Sequence, residues 1–464
     1  MIHAHDDQTI IAQCTPCGAG ALALIRLAGL DALTVADKIS KLASTSQKIT
    51  NVATHTINFG HVVGKNKAII DQVLFLVMHG PKTFTGQDTV EITCHNNQFI
   101  IDAIIQEAIK NGARLAQAGE FTKQAFLNKK IDLTQAEAIN ELICAHTQEA
   151  LKKSLAQLEG SFSQWIDSIQ KKLLHALSLC EASFEFLEED INFDSHIKKI
   201  IDKVLQEIEK SQTQYGHQKQ IKDGVRVALI GTVNAGKSSL FNTLVQHDRA
   251  IVTEIAGTTR DVIETGVYEQ GTYITFVDTA GLRQTKDRIE SEGIKRSFAE
   301  AEKADIILLL FDGSRNIDDK ELEVYQKLYT QYTNKIISLS TKSDTQKKNN
   351  ITREKQKQIF KDILPISIVS GHHLEELKKN IFEKIHELFK YGTMPFLINK
   401  RQHLLLCNVQ QALIDLKKNM HGPLEHEIVA IHLKDSLEKL TELTGKTISE
   451  LSLDSIFKNF CVGR

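Results

Sequence analysis

No stretch of the 464 residues approaches the roughly 18 consecutive apolar residues that a membrane-spanning helix needs. The first residues, Met1-Ile2-His3-Ala4-His5-Asp6-Asp7, carry no basic leader with an apolar core, so a cytoplasmic protein without membrane attachment is expected. A surplus of charge is missing as well. Lys plus Arg number 56 and Asp plus Glu 58, a formal net charge of −2, which argues against a polybasic nucleic-acid coat. Any RNA contact is then local or shared with a partner. Proline is scarce: there are five, and none falls between Pro81 and Pro365, so long uninterrupted helices are permitted. The seven cysteines are odd in number and scattered, which fits reduced thiols better than a disulfide framework. Only Cys14-Thr15-Pro16-Cys17 has ligand-like spacing, and without a second pair it reads as two ordinary thiols.

What is present is ordinary globular composition, 42% hydrophobic and 25% charged, over a length that accommodates about three domains. Residues 1–122 alternate β-rich runs such as Ala68–Met78 with turns and helical patches, an α+β pattern. Residues 123–221 turn to helical spacing, with Leu173, Leu174 and Leu177 recurring among charged and amide side chains. Residues 222–389 alternate strand and helix signals, and helical spacing returns over 390–464. The simplest arrangement is one discontinuous helical domain with an α/β domain inserted in it; two separate helical domains remain the alternative.

The inserted stretch carries the clearest chemistry. Gly231-Thr-Val-Asn-Ala-Gly236-Lys237-Ser238 satisfies GxxxxGK[ST] between the buried-strand pattern Val225–Ile230 and a helix expected near Ser239. Such a loop closes backbone amides, here those of Asn234, Ala235, Gly236 and Ser239 among others, around phosphate oxygens. Lys237 can reach the β and γ oxygens, and the Ser238 hydroxyl is placed for Mg²⁺. Downstream, Gly257-Thr258-Thr259-Arg260-Asp261 offers a switch threonine for Mg²⁺. Asp278-Thr279-Ala280-Gly281 is a DxxG after the strand Tyr273–Val277, with a hairpin expected between Val262 and Val277. The buried strand Lys335–Ser340 ends in Thr341-Lys342-Ser343-Asp344, a TKxD form of the guanine-reading NKxD, whose carboxylate accepts from guanine N1–H and the exocyclic amine. The nucleotide is therefore expected to be GTP in an α/β P-loop domain. Thr341 stands where Asn is commoner and Ser367-Ile368-Val369 replaces an SAK-type loop, so a moderate guanine affinity is expected. Leu282 follows the DxxG in place of a water-orienting Gln, so hydrolysis needs another device.

Asn234, the run Ile251–Asp261 and Asp278–Arg283 are shared by potassium-activated GTPases. Gln8–Gln13 through Arg26, Phe84–Glu91, Gly119–Thr122, Ala125–Asn128 through Ala138, Glu188–Asp190 and the terminal Phe460–Arg464 narrow the match. End to end, the chain resembles the MnmE family of tRNA modification GTPases, TrmE-Era-like proteins. The resemblance implies an N-terminal α+β domain that binds a tetrahydrofolate derivative and dimerises, a discontinuous helical domain, and an inserted Ras-like GTPase. It further implies a homodimer working with the flavoprotein MnmG, in a heterotetramer or larger complex. The product is a carboxymethylaminomethyl or aminomethyl group at C5 of the wobble uridine of certain tRNAs. The one-carbon unit comes from 5-formyltetrahydrofolate or 5,10-methylenetetrahydrofolate.

By the same resemblance, K⁺ takes the place of an arginine finger, with the Asn234 side chain and the carbonyls of Thr253, Ile255 and Thr258 as ligands. Glu254, Ala256 and Gly257 complete that loop around the nucleotide, Thr259 joins Ser238 on Mg²⁺, Glu290 positions the attacking water, and Arg283 and Arg260 steady the switches. The folate residues implied are Arg26, Glu91, Lys130 and Arg464, the last standing where lysine is usual. Cys94-His95-Asn96-Asn97 departs from the family's Cys-His-Gly-Gly beside that pocket, and Cys461 is either a nucleophile or a packed thiol. Two other readings stay open on the residues alone: a GTP-driven switch in ribosome assembly, and a folate-binding regulator with a decayed GTPase.

Overall fold

Val73, Phe75 and Val77 are buried and alternate with more exposed neighbours along Ile69–Met78, the period of two that lays one face of a strand on a core. The computed structural model describes residues 8–44, 47–185, 193–216, 218–246, 263–278, 289–345, 360, 362–390, 394–418, 426–458, 460 and 463. They form two units: Met1–Ile143, Gln157–Leu205 and Leu404–Arg464 in one, Cys144–Ala156 and Gln206–His403 in the other.

The first unit holds seven strands, β1 (Ile10–Gln13), β2 (Leu22–Ala28), β3 (Ser40–Leu42), β4 (Thr56–Val63), β5 (Ile69–Met78), β6 (Thr89–His95) and β7 (Arg114–Leu115), ordered β3-β4-β5-β6-β2-β1-β7. Neighbours run antiparallel except β1 and β7. Helices Ala32–Ile39 and Gln98–Lys110 pack Val35, Ile39, Ile101 and Ile104 with Ile25, Leu27, Phe75 and Ile92 in the main core. Asn97 caps the second of these helices, accepting from Phe99 N at 3.0 Å. The opposite face at the β1–β2 end is closed by Phe121 against Ile10, Ala12 and Ala28.

The proline-free middle of the chain forms helices of 25 residues (Ser161–Glu185) and 23 residues (Phe193–Tyr215). The former packs along His426–Leu443. Leu133 and Ala136 meet Leu453 and Phe457 of the helix Glu450–Phe457 in a separate cluster.

The second unit is built on six strands, β8 (Val225–Gly231), β9 (Ile263–Glu269), β10 (Thr272–Asp278), β11 (Ile306–Asp312), β12 (Ile336–Thr341) and β13 (Leu364–Pro365), ordered β13-β12-β11-β8-β10-β9. All pairs are parallel except β9 with β10. Hydrophobic clusters on both faces, around Leu229 and Leu308 on one and Ile230 and Phe311 on the other, explain why β11 is buried along its whole length. From β8 the chain goes first to β9 and β10 on one side and then to β11 on the other. The crevice beyond the carboxyl end of β8 is thus the switch point where such sheets take ligands. The expected layers are all present: an α+β sheet domain, long helices, and a parallel sheet with helices on both faces.

Candidate functional site

At that switch point β8 runs into the loop 232–236 and the helix Lys237–Gln246. Gly231 is required by close approach: a Cβ there would fall 2.7 Å from the Leu310 carbonyl oxygen. Gly236 is required by conformation, with φ of +87° as the loop turns into the helix. Asn234 also takes a positive φ, 66°, a region Asn tolerates, and is exposed, while Ala235 is buried beneath the loop. Ser238 and Ser239 are exposed in the first turn of the helix, beside amides that have no partner inside it.

Lys237 is 6% exposed, and its ammonium donates to the carbonyls of Gly231 and Thr232, both at 2.7 Å. Burial lowers its pKa, partly opposed by the charge of Asp278 at the end of β10. A cation held by neutral carbonyls beside a carboxylate is one that an incoming polyphosphate would satisfy better.

The residues expected to read the base, Thr341, Lys342, Asp344 and Ser367, lie just at or beyond the ends of β12 and β13. Thr341 is fully buried, and its hydroxyl lies 2.9 Å from Ala235 O and 3.0 Å from Phe311 O. The Thr341 hydroxyl therefore ties the end of β12 to the loop 232–236. Lys342, at φ 56°, donates to Asp312 Oδ2 at 2.7 Å. Burial alone would raise the Asp312 pKa, but hydrogen bonds from Lys342 and Ser314 and the Lys342 charge bring it below the usual carboxylate value. The exposed Asp344 accepts from Ser367 Oγ at 2.7 Å, which fixes one of its carboxylate oxygens. Ser367 is itself buried and accepts from Ser370 N at 3.2 Å.

Thr253, Glu254, Ile255, Ala256, Gly257, Thr258, Thr259 and Arg260 lie outside the described residues, as do Thr279, Ala280, Gly281 and Arg283. Glu290 falls in the first turn of the helix Ile289–Lys303, and its side chain is outside the description.

In the first unit, Arg26 and Glu91 are direct partners in the β2–β6 ladder and close a salt bridge of 2.7 Å, with the Arg26 Nε bond at 2.9 Å. The guanidinium lies 5.5 Å from the centre of the Phe121 ring and 5.9 Å from that of Phe84. Lys130 donates to Pro81 O at 2.8 Å. The loop between them is shared, since a Cβ on Gly86 would meet Asn128 at 3.1 Å and Lys130 at 3.4 Å. Arg464 and Cys461 lie outside the described residues, but Gly463 runs against β1, its carbonyl accepting from Cys14 Sγ at 3.0 Å.

Three buried polar atoms near this end of the sheet have no hydrogen-bond partner among the described residues: Gln13 Nε2, Thr122 Oγ1 and Gln124 Oε1. Buried polar groups left without a partner are groups that a bound polar ligand can complete. Asn96, where the family has glycine, donates to Gly18 O at 2.8 Å and so fastens the loop 14–21.

Sequence reasoning missed a group around Thr232 formed by Arg315, Glu321 and Tyr325, and it missed Gln13, Thr122 and Gln124 as open polar groups. The latter three stand in or beside the family motifs, which was the available signal; the former had none.

Two family descriptions match the chain: "MnmE helical domain" over residues 133–461 and "GTP-binding protein TrmE N-terminus" over residues 9–130. The tRNA modification GTPase MnmE of Flavobacterium psychrophilum is 36% identical over 467 aligned residues, covering 99% of each chain. That of Bacillus licheniformis is 35% identical and covers 98% of this chain and all of its own. The chain belongs to the MnmE family. Family membership extends over both units described above, and the MnmE helical description brackets the whole P-loop unit, which begins and ends inside it. A third relative, from Lactococcus lactis, is 35% identical over the full length of both chains.

Proposed function

We propose that this MnmE-family chain is a GTP-hydrolysing tRNA modification enzyme. The observation that carries the reading is a phosphate loop at the switch point of a parallel sheet, inside a chain that aligns from end to end with tRNA modification GTPases. In this reading residues 1–122 bind folate and dimerise, 123–221 and 390–464 make the helical domain, and 222–389 are the GTPase. An apolar face on the N-terminal sheet supports the homodimer: Phe59 and Leu74 are ladder partners, exposed by 46% and 43%, next to Ile57 at 67%.

The chain's own residues divide the work as follows. Loop amides and Lys237 bind the triphosphate, the ammonium leaving its carbonyls for the β and γ oxygens. Asp344, held by Ser367, selects guanine. Glu290 positions water through a bridging water, and Arg283 steadies the switch. Mg²⁺ on Ser238 and Thr259, and K⁺ on Asn234 with the carbonyls of Thr253, Ile255 and Thr258, would supply positive charge against the leaving oxygens. In the first unit Glu91 accepts from the donors of a pterin, Arg26 orients it, and Lys130 and Arg464 neutralise the glutamate tail of 5-formyltetrahydrofolate or 5,10-methylenetetrahydrofolate. The flavin chemistry on wobble uridine of tRNA belongs to a partner of the MnmG kind, which accounts for a chain without a basic surface excess.

Nucleoside mass spectrometry of tRNA from the host with and without this gene tests the reading. Loss of the C5 substituent from wobble uridine is expected, and an unchanged nucleoside profile would overturn it. GTP turnover in K⁺ against Na⁺ tests the ion, since equal rates would remove the potassium mechanism.

A further inference from the structure

The first turn of the phosphate loop is gripped by three side chains that the chemistry above leaves unused. The Thr232 hydroxyl donates to Glu321 Oε1 at 2.9 Å and accepts from the Arg315 guanidinium at 3.0 Å. The Thr232 amide donates to Tyr325 Oη at 2.9 Å, and that hydroxyl donates onward to Leu310 O at 3.1 Å. Tyr325 is 2% exposed and set edge-on to Phe311, with ring centres 4.9 Å apart. Burial raises its pKa, so it stays a neutral donor throughout the physiological range.

Every polar group of Thr232 is thereby spoken for, because its carbonyl is one of the two that hold Lys237, at 2.7 Å. Arg315 extends the network sideways. It bonds Glu321 Oε2 at 2.8 Å, and its Nε lies 3.9 Å from Asp312 Oδ2, the carboxylate that holds Lys342 of the base-reading loop. A half-exposed arginine paired only with a surface carboxylate would contribute little. Here its hydrogen-bonded partner Glu321 is 7% exposed, where a charge-assisted hydrogen bond is worth most, and its more distant ion-pair neighbour Asp312 is 5% exposed, where charge is weakly screened.

We infer that Arg315, Glu321 and Tyr325 are positioning residues for nucleotide binding: they hold Thr232 and the Lys237-anchoring carbonyl in the geometry that presents the loop to phosphate, and Arg315 couples that loop to the base-reading loop. The inference rests on the proposed GTP site. A loop ordered in advance loses less freedom when phosphate arrives, so the effect belongs in affinity rather than in the chemical step. The alternative, that these side chains only fasten the helix Asp319–Tyr332 to the sheet, would show in stability and not in that split.

The test uses the full-length protein, a fluorescent GTP analogue, steady-state GTP hydrolysis and thermal melts without nucleotide. Thr232→Val, which keeps the side-chain shape and removes the hydroxyl, is expected to raise Kd and KM about tenfold with kcat within about twofold, the size of one charge-assisted hydrogen bond. Thr232→Ser is expected to bind within about twofold of the parent. Glu321→Gln gives a second variant with the fold and shape kept, and is expected to weaken binding in the same way. Parent-like binding by Thr232→Val and Glu321→Gln would overturn the inference, and so would failure of the serine variant to recover, or a loss that appears in the melt and not in KM. A parent protein that binds no guanine nucleotide would instead overturn the GTP reading, and the inference with it.

Discussion

The hydroxyl of Thr341 lies 2.9 Å from the carbonyl oxygen of Ala235, so the end of β12 is fastened to the loop that follows β8. Both residues are fully buried, and a donor removed there leaves a buried carbonyl with one partner fewer. Thr341→Val is therefore expected to weaken GTP binding by about tenfold, while Thr341→Asn stays close to the parent. Titration with a fluorescent guanine nucleotide reads the difference. Equal affinities for the parent and the valine variant would show that the tie is dispensable.

Asp344 is expected to set base choice through its two carboxylate oxygens. Asp344→Asn should lower GTP affinity by at least about a hundredfold, because an amide presents one donor where guanine needs two acceptors. The same change should improve use of xanthosine triphosphate, whose ring offers a carbonyl where guanine has an amine. Competition between the two triphosphates in a hydrolysis assay checks the reversal.

Asp312 gives a pH dependence with a defined sign. Its pKa in the folded chain lies below the ordinary value of 3.8, so its pairing stabilises the fold fully above that value and is lost as pH falls through the lowered one. The melting temperature of the parent should exceed that of Asp312→Asn at neutral pH, and the gap should narrow progressively as pH falls below 3.8. A gap that is constant from pH 7 to pH 3 would mean that the carboxylate charge contributes nothing.

Glu91 should matter to folate binding through its charge. Glu91→Gln keeps the shape, removes the charge paired with Arg26, and replaces one acceptor by a donor toward the proposed pterin. Calorimetric titration with 5-formyltetrahydrofolate is expected to show affinity reduced about tenfold or more. Parent-like affinity would move the pterin away from the Arg26–Glu91 pair.

Gly463 offers a test of the terminal segment. Its φ is +88°, and a Cβ would lie 2.5 Å from Gln13 O, a distance that no Cβ contact tolerates. Gly463→Ala should detach the residue from β1 at a cost of about 1 kcal/mol or more, read as a lowered melting temperature. An unchanged melting temperature would show that the contact carries no stability.

What could be read directly from the residue order was whatever is contiguous. The run Val225–Ser238 contains its own strand, turn and helix start, and the structure places them as expected. The hairpin Ile263–Asp278 was legible for the same reason. Thr341 looked like a weakened motif because the residue that receives its hydrogen bond is 106 positions away. The grip on Thr232 was invisible on the same ground: its partners Arg315, Glu321 and Tyr325 are 83, 89 and 93 residues distant, and only the packing of β11 and its following helix brings them round. In the first unit the family motifs pointed to Arg26 and Glu91, but their being ladder partners depends on strand register, which alternation alone does not set.

The division of the chain into interleaved stretches orders events during synthesis. All of Cys144–Ala156 and Gln206–His403 has been synthesised before residue 404 is added, whereas the first unit still awaits Leu404–Arg464. Contacts such as Lys123 with Asp454, at 2.6 Å, and Cys14 with Gly463 span 331 and 449 residues. The nucleotide unit can therefore finish folding on the ribosome while the unit that contains the chain's first strand is still incomplete. During that interval the seven strands are all present, but Cys14 and Lys123 still lack their partners Gly463 and Asp454, and a nascent chain in this state is a natural client for a chaperone.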